Sequence, residues 1–335
     1  MKATLQIRHS VRPWVETAQA RIAIGVSGGA DSMALALGTI AEARETGVEV
    51  IAVIIDHDLQ EGSGEVAQTA REQLLSHGIS RVIIKKVKVD LTDGMEASAR
   101  RARYGAFDEV IAEIDPDFFF LAHTLNDQAE SVLLGLARGS GTKSLSGMPQ
   151  VNEKFVRPLL GIDRRTTEAA CLENGVEPWR DPHNEDRNYT RVRVRHEILP
   201  LMEELLGPGI IDALGRSATI LRQDSQALDG YAHEFLSGLP GLSGAAEGAL
   251  DSGEKLELSV DDLAQLPVAV RVRVLRSAIA RAGAPLGSLS AQHLAPVEAL
   301  VTDWHGQGAI SLPGGVKVER ISGRLSFLPQ PTLGA

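Results

Sequence analysis

The chain has 335 residues, 43% hydrophobic and 23% charged, so it is long enough for about two domains with buried cores. Its net charge of −10 excludes a generally basic surface for nucleic acid, and its single cysteine, Cys171, excludes an internal disulfide framework and any site built from paired cysteines. No secretory signal and no membrane-spanning run of ~18 apolar residues is present, so we expect a cytoplasmic protein without membrane contact.

Apolar runs alternate with helix-forming segments in the first part of the chain. Residues 22–26, 50–55, 82–89 and 118–122 predict strands. The segments between them, 33–46, 64–77 and 95–114, predict helices. This alternation is typical of an α/β fold with a mostly parallel sheet and helices on both faces.

The pattern changes after Pro200. Residues 201–235 predict helices, 237–253 a linker rich in Gly, Ser, Leu and Ala, and 261–282 one further helix. Short strands at 309–312, 316–321 and 324–328 predict an antiparallel meander. We therefore divide the chain into an α/β domain (1–205), a helical connection with a linker (206–255) and a small mixed α+β domain (256–330).

A glycine-rich turn follows the first predicted strand, with the sequence Ser27-Gly28-Gly29-Ala30-Asp31-Ser32. Glycines allow a sharp turn and close approach of a ligand, and the following helix directs unpaired N–H groups and its positive dipole end at an anion. The spacing fits neither the usual P-loop nor the dinucleotide fingerprint. The alternative is a tight strand-to-helix turn capped by Asp31 or Ser32. We expect Asp31 to lie at a solvent-facing turn and not in the core.

These six residues resemble the pyrophosphate loop of the N-type ATP pyrophosphatases (the PP-loop superfamily), which cleave ATP to AMP and pyrophosphate while adenylating a substrate. Later segments are similar, in order and spacing, to the patterns V-D-H-G-L (55–59), E-x-x-A-R-x-x-R-Y (96–104) and H-x-x-D-D-Q-x-E (123–130), and to further motifs at 138–148, 157–160 and 181–200. Over about 20–205 the chain thus resembles the tRNA(Ile)-lysidine synthetase family, and beyond it there is a general likeness to that family's small C-terminal domain.

The resemblance implies ATP-dependent ligation of free L-lysine to C2 of the wobble cytidine of tRNA(Ile) with a CAU anticodon, through an adenylated tRNA, with Mg²⁺. It assigns the cofactor site to Ser27, Gly28, Gly29, Asp31, Ser32 and Asp56, and the metal to Asp31 and Asp127. It assigns catalysis to Asp31, Arg100, His123, Asp127 and Glu130, and tRNA binding to Arg103, Arg191, Arg193 and Arg195. A homodimer is left open.

The residues themselves support several of these roles. Asp127 and Glu130 are three apart in a predicted helix over 126–137 and share a face, where they can hold the cationic groups of lysine or Mg²⁺ and accept the ammonium proton. The helix dipole also favours acids in a first turn, which is the structural alternative. His123 and Asp56 end strands, where open α/β sheets bind ligands. A capping or core histidine, and a turn at Asp56 with residues 57 and 58, are the alternatives.

Two arginine clusters offset the acidic net charge locally, one at 100–103 and one at 187–195. If the second cluster is extended, Arg191, Arg193 and Arg195 share one face. If it is helical, Arg191 and Arg195 pair while Arg193 points away. A solvated charged face is the alternative for both clusters.

Two positions depart from the family pattern. Asn126 stands where an Asp is usual, which favours a neutral hydrogen bond or an N-cap there over a metal ligand, and Val192 stands where many members have Asn. A cytidine thiolase of the same superfamily needs paired cysteines, which this chain lacks. The other alternative is a tRNA-binding module that has lost catalysis, and Asn126 is the only residue in the sequence that suggests it.

Overall fold

The computed structural model describes residues 2–57, 62–89, 95–139, 141–239 and 255–329, with the side chains of Met95 and Glu96 left aside. Asp58, Ser140 and most of the predicted linker lie outside these residues. The chain divides into two compact units, Met1–Arg222 and Gln223–Ala335.

The first unit contains a six-stranded sheet with strand order β3-β2-β1-β4-β6-β5. Every neighbouring pair is parallel except β5 with β6. The strands are β1 (Arg21–Val26), β2 (Glu49–Asp56), β3 (Arg81–Lys86), β4 (Phe118–Phe120), β5 (Val151–Asn152) and β6 (Phe155–Val156). The helices are α1 (Ala3–Thr17), α2 (Ala30–Thr46), α3 (Ser63–Ser76), α4 (Met95–Ile114), α5 (Leu125–Ala137), α6 (Thr142–Leu145), α7 (Arg164–Glu173), α8 (Thr190–Arg193) and α9 (Leu199–Leu206).

Both faces of this sheet are covered, which confirms the predicted fold class. Alternate strand residues point to opposite faces, so Ile22 and Ile24 join a core with α1, α2, α3 and α7, whereas Ala23 joins a second core with α4. Because the central strands run parallel, β1, β2 and β4 all end at the same edge of the sheet. The predicted site residues that follow these strands meet at that edge.

The two longest helices of this unit without a counterpart in the sequence analysis are α1 and α7. α1 buries Ile7, Val11 and Val15 at helical spacing, and α7 packs beside it. The carboxylate of Glu173, at the end of α7, accepts hydrogen bonds from the N–H of Ala3 (3.0 Å) and that of its neighbour Thr4 (2.9 Å). α7 is thereby fixed against the first helix, and its N-terminus reaches the ligand-binding edge of the sheet.

The second unit has a four-stranded antiparallel sheet in the order β7-β10-β9-β8. Its strands are β7 (Leu256–Ser259), β8 (Ile310–Ser311), β9 (Val316–Ile321) and β10 (Arg324–Pro329), and its helices are α11 (Val260–Gln265), α12 (Val268–Arg281) and α13 (Ala291–Thr302). α10 (Ile210–Ser237) contains the boundary between the units. None of the helices in the described ranges is both long and apolar enough to span a membrane.

The meander predicted at 309–328 is confirmed, and β7 adds a strand to it by pairing with β10. The single helix predicted over 261–282 is wrong. α11 ends at Gln265 and α12 begins at Val268, with Pro267 as the N-cap of the second helix. Proline lacks an N–H and restricts the residue before it to extended backbone, so the first helix stops there.

Candidate active site

The glycine-rich turn lies between β1 and α2, as predicted. Gly28 has φ +81°, a left-handed conformation that favours glycine. The N–H of Ser27 donates to Oγ of Ser32 (3.1 Å), and that hydroxyl donates to the carbonyl of Gly29 (3.0 Å). Gly29 is the N-cap of α2, so neither Asp31 nor Ser32 caps this helix. The turn is closed by its own hydroxyl groups and precedes α2, whose first N–H groups have no acceptor within the helix.

Asp31 is not at a solvent-facing turn, which corrects the expectation above. Its carboxylate accepts hydrogen bonds from Nε of Arg164 (3.2 Å) and from the hydroxyl of Thr167, and only 23% of its side chain is exposed. Burial raises the pKa of Asp31, although Arg164 and Thr167 oppose that rise. The reason for the difference is α7, whose first turn packs over the turn and covers the carboxylate.

Asp127 serves two purposes in α5. Its Oδ2 accepts hydrogen bonds from the N–H (2.8 Å) and hydroxyl (2.9 Å) of Thr124, the N-cap of the helix, as part of a capping box. Its Oδ1 accepts one from Nη2 of Arg164 (3.1 Å). Burial opposes the charge of Asp127, but Arg164 and Arg191 outweigh burial and lower its pKa to about 2. The carboxylate is therefore ionised at neutral pH.

Glu130 lies on the same face of α5, as its spacing predicts, and its side chain is fully buried. Oε2 accepts a hydrogen bond from Nε of Arg191 (2.7 Å), and Oε1 accepts one from Nε of Arg195 (2.7 Å). Both oxygens are thus taken by charge-assisted hydrogen bonds, which are the strong kind.

The arginine segment is helical, so the second of the two predicted arrangements is correct. α8 continues into a π-helical turn, Val194–Ile198. Arg191 and Arg195 both turn toward Glu130 and Asp127, whereas Arg193 is exposed. The solvated-face alternative is wrong for Arg191 and Arg195, because the buried carboxylates of α5 attract their guanidinium groups. Val192, which lies between these two arginines in the sequence, is buried.

The charges of this cluster balance. Three carboxylates face three guanidinium groups, from Asp31, Asp127 and Glu130 and from Arg164, Arg191 and Arg195. Buried ion pairs of this kind are costly to break one partner at a time, because the remaining charge stays desolvated. The cluster is therefore a rigid, electroneutral wall of the site.

His123 follows β4 at the same edge of the sheet. Burial lowers its pKa to about 4, with Asp127 opposing and Arg100 among the cations that add to the effect, so the ring is neutral at neutral pH. In the described part of the chain, the buried Nδ1 atom of this half-buried ring has no hydrogen-bond partner. A buried polar atom without a partner is uncommon and needs an explanation. Arg100 is exposed and stacks over Tyr104, 4.7 Å from the ring centroid.

Asp56 and Arg103 lie near a second imidazole, that of the half-buried His57. Asp56 is buried at the end of β2, and Arg103 is exposed on α4. Burial lowers the pKa of His57, and the positive charge of Arg103 adds to that effect. Nδ1 of His57 likewise lacks a partner among the residues described. The alternative of a turn with Asp58 falls on a residue outside those that the structure describes.

Two contributors to the site, Arg164 and Thr167, were not predicted from the sequence, and one of them contacts Asn126. Oδ1 of Asn126 accepts a hydrogen bond from the N–H of Arg164 (2.9 Å), so the expected neutral hydrogen bond is confirmed, and the N-cap is Thr124 instead. Arg164 is 37 residues from Asp127 and belongs to none of the motifs used above. The only available signal is a pair of adjacent arginines before a helix-forming segment.

Comparison with known families gives two matches. Residues 2–202 match the PP-loop domain, and residues 258–326 match the TilS substrate binding domain. A solved structure, the U34-tRNA thiolase NcsA from Methanococcus maripaludis with its [4Fe-4S] cluster, superposes with a TM-score of 0.55 at 18% identity, over 66% of this chain and 80% of that one. This likeness supports the fold alone.

Burial raises the pKa of the lone Cys171 thiol to about 12.

Curated relatives are much closer in sequence. The tRNA(Ile)-lysidine synthase of Leifsonia xyli subsp. xyli is 47% identical over 319 residues, which cover 95% of this chain and 92% of the relative. The enzymes of the same name from Rhodococcus erythropolis and Streptomyces coelicolor are 43% and 45% identical, covering 95% and 91% of this chain and 92% and 84% of the relatives. With its PP-loop domain, its substrate-binding domain and this identity over nearly its whole length, the chain belongs to the tRNA(Ile)-lysidine synthase family.

Proposed function

We propose that the site at the ends of β1, β2 and β4 carries out both steps of lysidine formation on tRNA(Ile): adenylation of the wobble cytidine of the CAU anticodon with ATP, then transfer of free L-lysine. The observation that carries this proposal is that one arginine links the PP-loop directly to the acidic residues of α5. Asp31, in the PP-loop, and Asp127 and Glu130, on α5, all contact the guanidinium group of Arg164.

The chemistry needs two steps because oxygen is a poor leaving group on the pyrimidine ring. O2 of the cytidine attacks the α-phosphorus of ATP, the bond to the β-phosphate oxygen breaks, and pyrophosphate leaves. The ε-amine of lysine, after losing a proton from its ammonium form, then attacks C2. The C2–O2 bond breaks, and AMP leaves with the oxygen.

The PP-loop suits the first step. Its glycines and the start of α2 offer N–H groups to the departing pyrophosphate, and Ser27 and Ser32 offer hydroxyls. Asp56, at the end of β2, lies where a ribose or an adenine edge would be contacted. On α4, Arg103 offers positive charge near the half-buried His57, and Arg100 offers positive charge near His123.

The residues fit a magnesium ion of the kind that accompanies nucleotides. Such an ion is held by one or two carboxylates, with phosphates and water as the other ligands. Asp31 and Asp127 supply two carboxylates around one guanidinium group. Within the described ranges, no three or more His, Cys, Asp or Glu side chains are arranged so that they could hold a metal ion together. Bound there by Asp31 and Asp127, Mg²⁺ would neutralise phosphate charge.

The amine side of the site needs an acceptor for a proton and groups that hold a cation. Asp127, with 11% of its side chain exposed, is the carboxylate closer to solvent, whereas Glu130 is fully buried and acts through Arg191 and Arg195. The low pKa of Asp127 makes it a weak proton acceptor. His123 is the stronger base of the two, with a pKa of about 4, and its ring has a nitrogen without a partner among the described residues, so we assign the proton to His123.

The function is tested by incubating the protein with ATP, Mg²⁺, isotopically labelled lysine and the tRNA. We expect label in the tRNA, together with AMP and pyrophosphate in equal amounts. A thiolase or a module that only binds tRNA would leave the tRNA unlabelled, and that result would contradict the proposal.

The variant His123→Ala tests the role of His123 in the same assay. We expect it to bind ATP normally and to incorporate lysine about 10²-fold more slowly, as is usual on removal of a general base. An unchanged rate of lysine transfer would remove His123 from the mechanism but would leave the function intact.

The three arginines predicted to bind tRNA in α8 and the turn after it differ in exposure. Arg193 is exposed, whereas Arg191 and Arg195 are paired with carboxylates. We expect Arg193→Gln to weaken tRNA binding and to reduce the log–log salt slope by up to about one unit, since one phosphate contact is lost. The measurement is a binding titration at several salt concentrations.

The control for that titration is Arg165→Gln, which removes the same charge from a side chain that is 87% exposed on α7. It should leave the slope unchanged. Equal slopes for Arg193→Gln and the intact protein would show that the tRNA surface lies elsewhere, for instance at Arg103.

A further inference from the structure

One guanidinium group touches all three carboxylates of the site. Nε of Arg164 lies 3.2 Å from Asp31, Nη2 lies 3.1 Å from Asp127, and Nη1 lies 3.6 Å from Glu130. Only 19% of the Arg164 side chain is exposed. A planar guanidinium with five donors in fixed directions can hold several carboxylates in one arrangement, which a lysine cannot do.

Arg164 is itself held in place from both sides. Its N–H donates to Oδ1 of Asn126 on α5 (2.9 Å), and Asp163 caps the helix by accepting from the N–H of Arg165 (2.8 Å). One turn further along α7, Thr167 donates to the second oxygen of the Asp31 carboxylate. The first turn of α7 thus contacts the PP-loop and α5 at once.

We infer that Arg164 is a positioning residue for both half-reactions, because it fixes Asp31 relative to Asp127 and Glu130. This inference rests on the proposed function. It distinguishes Arg164 from Thr167, whose hydroxyl contacts the PP-loop carboxylate but neither carboxylate of α5. Misplacement of reacting groups by about 1 Å can cost 10²-fold in rate.

The test separates the two steps in single turnovers. Adenylated tRNA is formed from labelled ATP without lysine, and lysine is then added to measure its transfer. For Arg164→Gln we expect both rate constants to fall by about 10²-fold with KM for ATP changed less than threefold. For Thr167→Val we expect only adenylation to slow.

Chemical rescue distinguishes a positioning role of Arg164 from a purely structural role. In Arg164→Ala, added guanidinium ion should restore part of both rates, because it can take the place of the lost group between the carboxylates. Arg165→Gln, on the same turn but exposed, is the matched control and should behave like the intact protein. Circular dichroism and the unfolding midpoint show that each variant is folded.

Three results would overturn the inference. They are unchanged rates in Arg164→Gln, a loss in only one of the two steps, and a folded Arg164→Ala that guanidinium does not rescue. If Arg164→Gln fails to fold, the rescue of Arg164→Ala and the step measured for Thr167→Val decide the question. The intact protein is assayed first, so a failure to form lysidine would count against the proposed function and not against the role of Arg164.

Discussion

Asp31→Asn should abolish AMP formation, with a loss of at least ~100-fold, in a protein that remains folded. The substitution keeps the shape of the side chain and removes the charge that faces Arg164 and that we assign to Mg²⁺. Asp31 is partly buried, so the asparagine must still accept the hydrogen bond from Thr167, which its carbonyl oxygen can do. The measurement is tRNA-dependent release of AMP and pyrophosphate.

Asp163→Asn is the matched control for Asp31→Asn. It removes a carboxylate from the N-cap of α7, and asparagine is an equally good N-cap, so neither activity nor stability should change appreciably. Removal of Mg²⁺ with a chelator should reproduce the loss in the intact protein. Normal turnover in Asp31→Asn would disprove the assignment of the PP-loop as the ATP site.

Glu130→Gln should have the largest effect on stability. Two guanidinium groups, of Arg191 and Arg195, lose the charge that compensates them in a fully buried position. Breaking one partner of a buried ion pair typically costs about 3–5 kcal/mol, and we expect the lower end because Asp127 remains nearby. Urea unfolding, followed by circular dichroism, measures the change in the free energy of unfolding.

The same variant should impair lysine use more than ATP binding, because Glu130 orients the arginines on the amine side of the site. KM and kcat for each substrate decide this. Glu197→Gln is the control: Glu197 pairs with Arg187 at 3.3 Å, but both side chains are exposed, so the loss should be within about 0.5 kcal/mol. A larger effect on ATP than on lysine would move Glu130 to the metal side, and unchanged stability would show that the buried pairs carry no net free energy.

The elements that depend on local pattern were predictable from the sequence. Hydrophobic periodicity and turn chemistry act over a few residues, so β1 to β4, the PP-loop and the shared face of Asp127 and Glu130 follow from the order of residues. The family motifs added the substrate and the order of the steps. Local pattern was insufficient where a single residue interrupts it, as Pro267 does between α11 and α12.

Only the tertiary structure decided which charges neutralise one another. Arg164 is 133 residues from Asp31 in the chain, and Arg191 is 61 residues from Glu130, so no periodicity relates them. They meet because the parallel sheet brings the ends of its strands to one edge and α7, packed on α1, closes over that edge. A charge in a sequence has no known partner until the fold determines how far it is buried, and burial determines whether it contacts solvent, a substrate or another side chain.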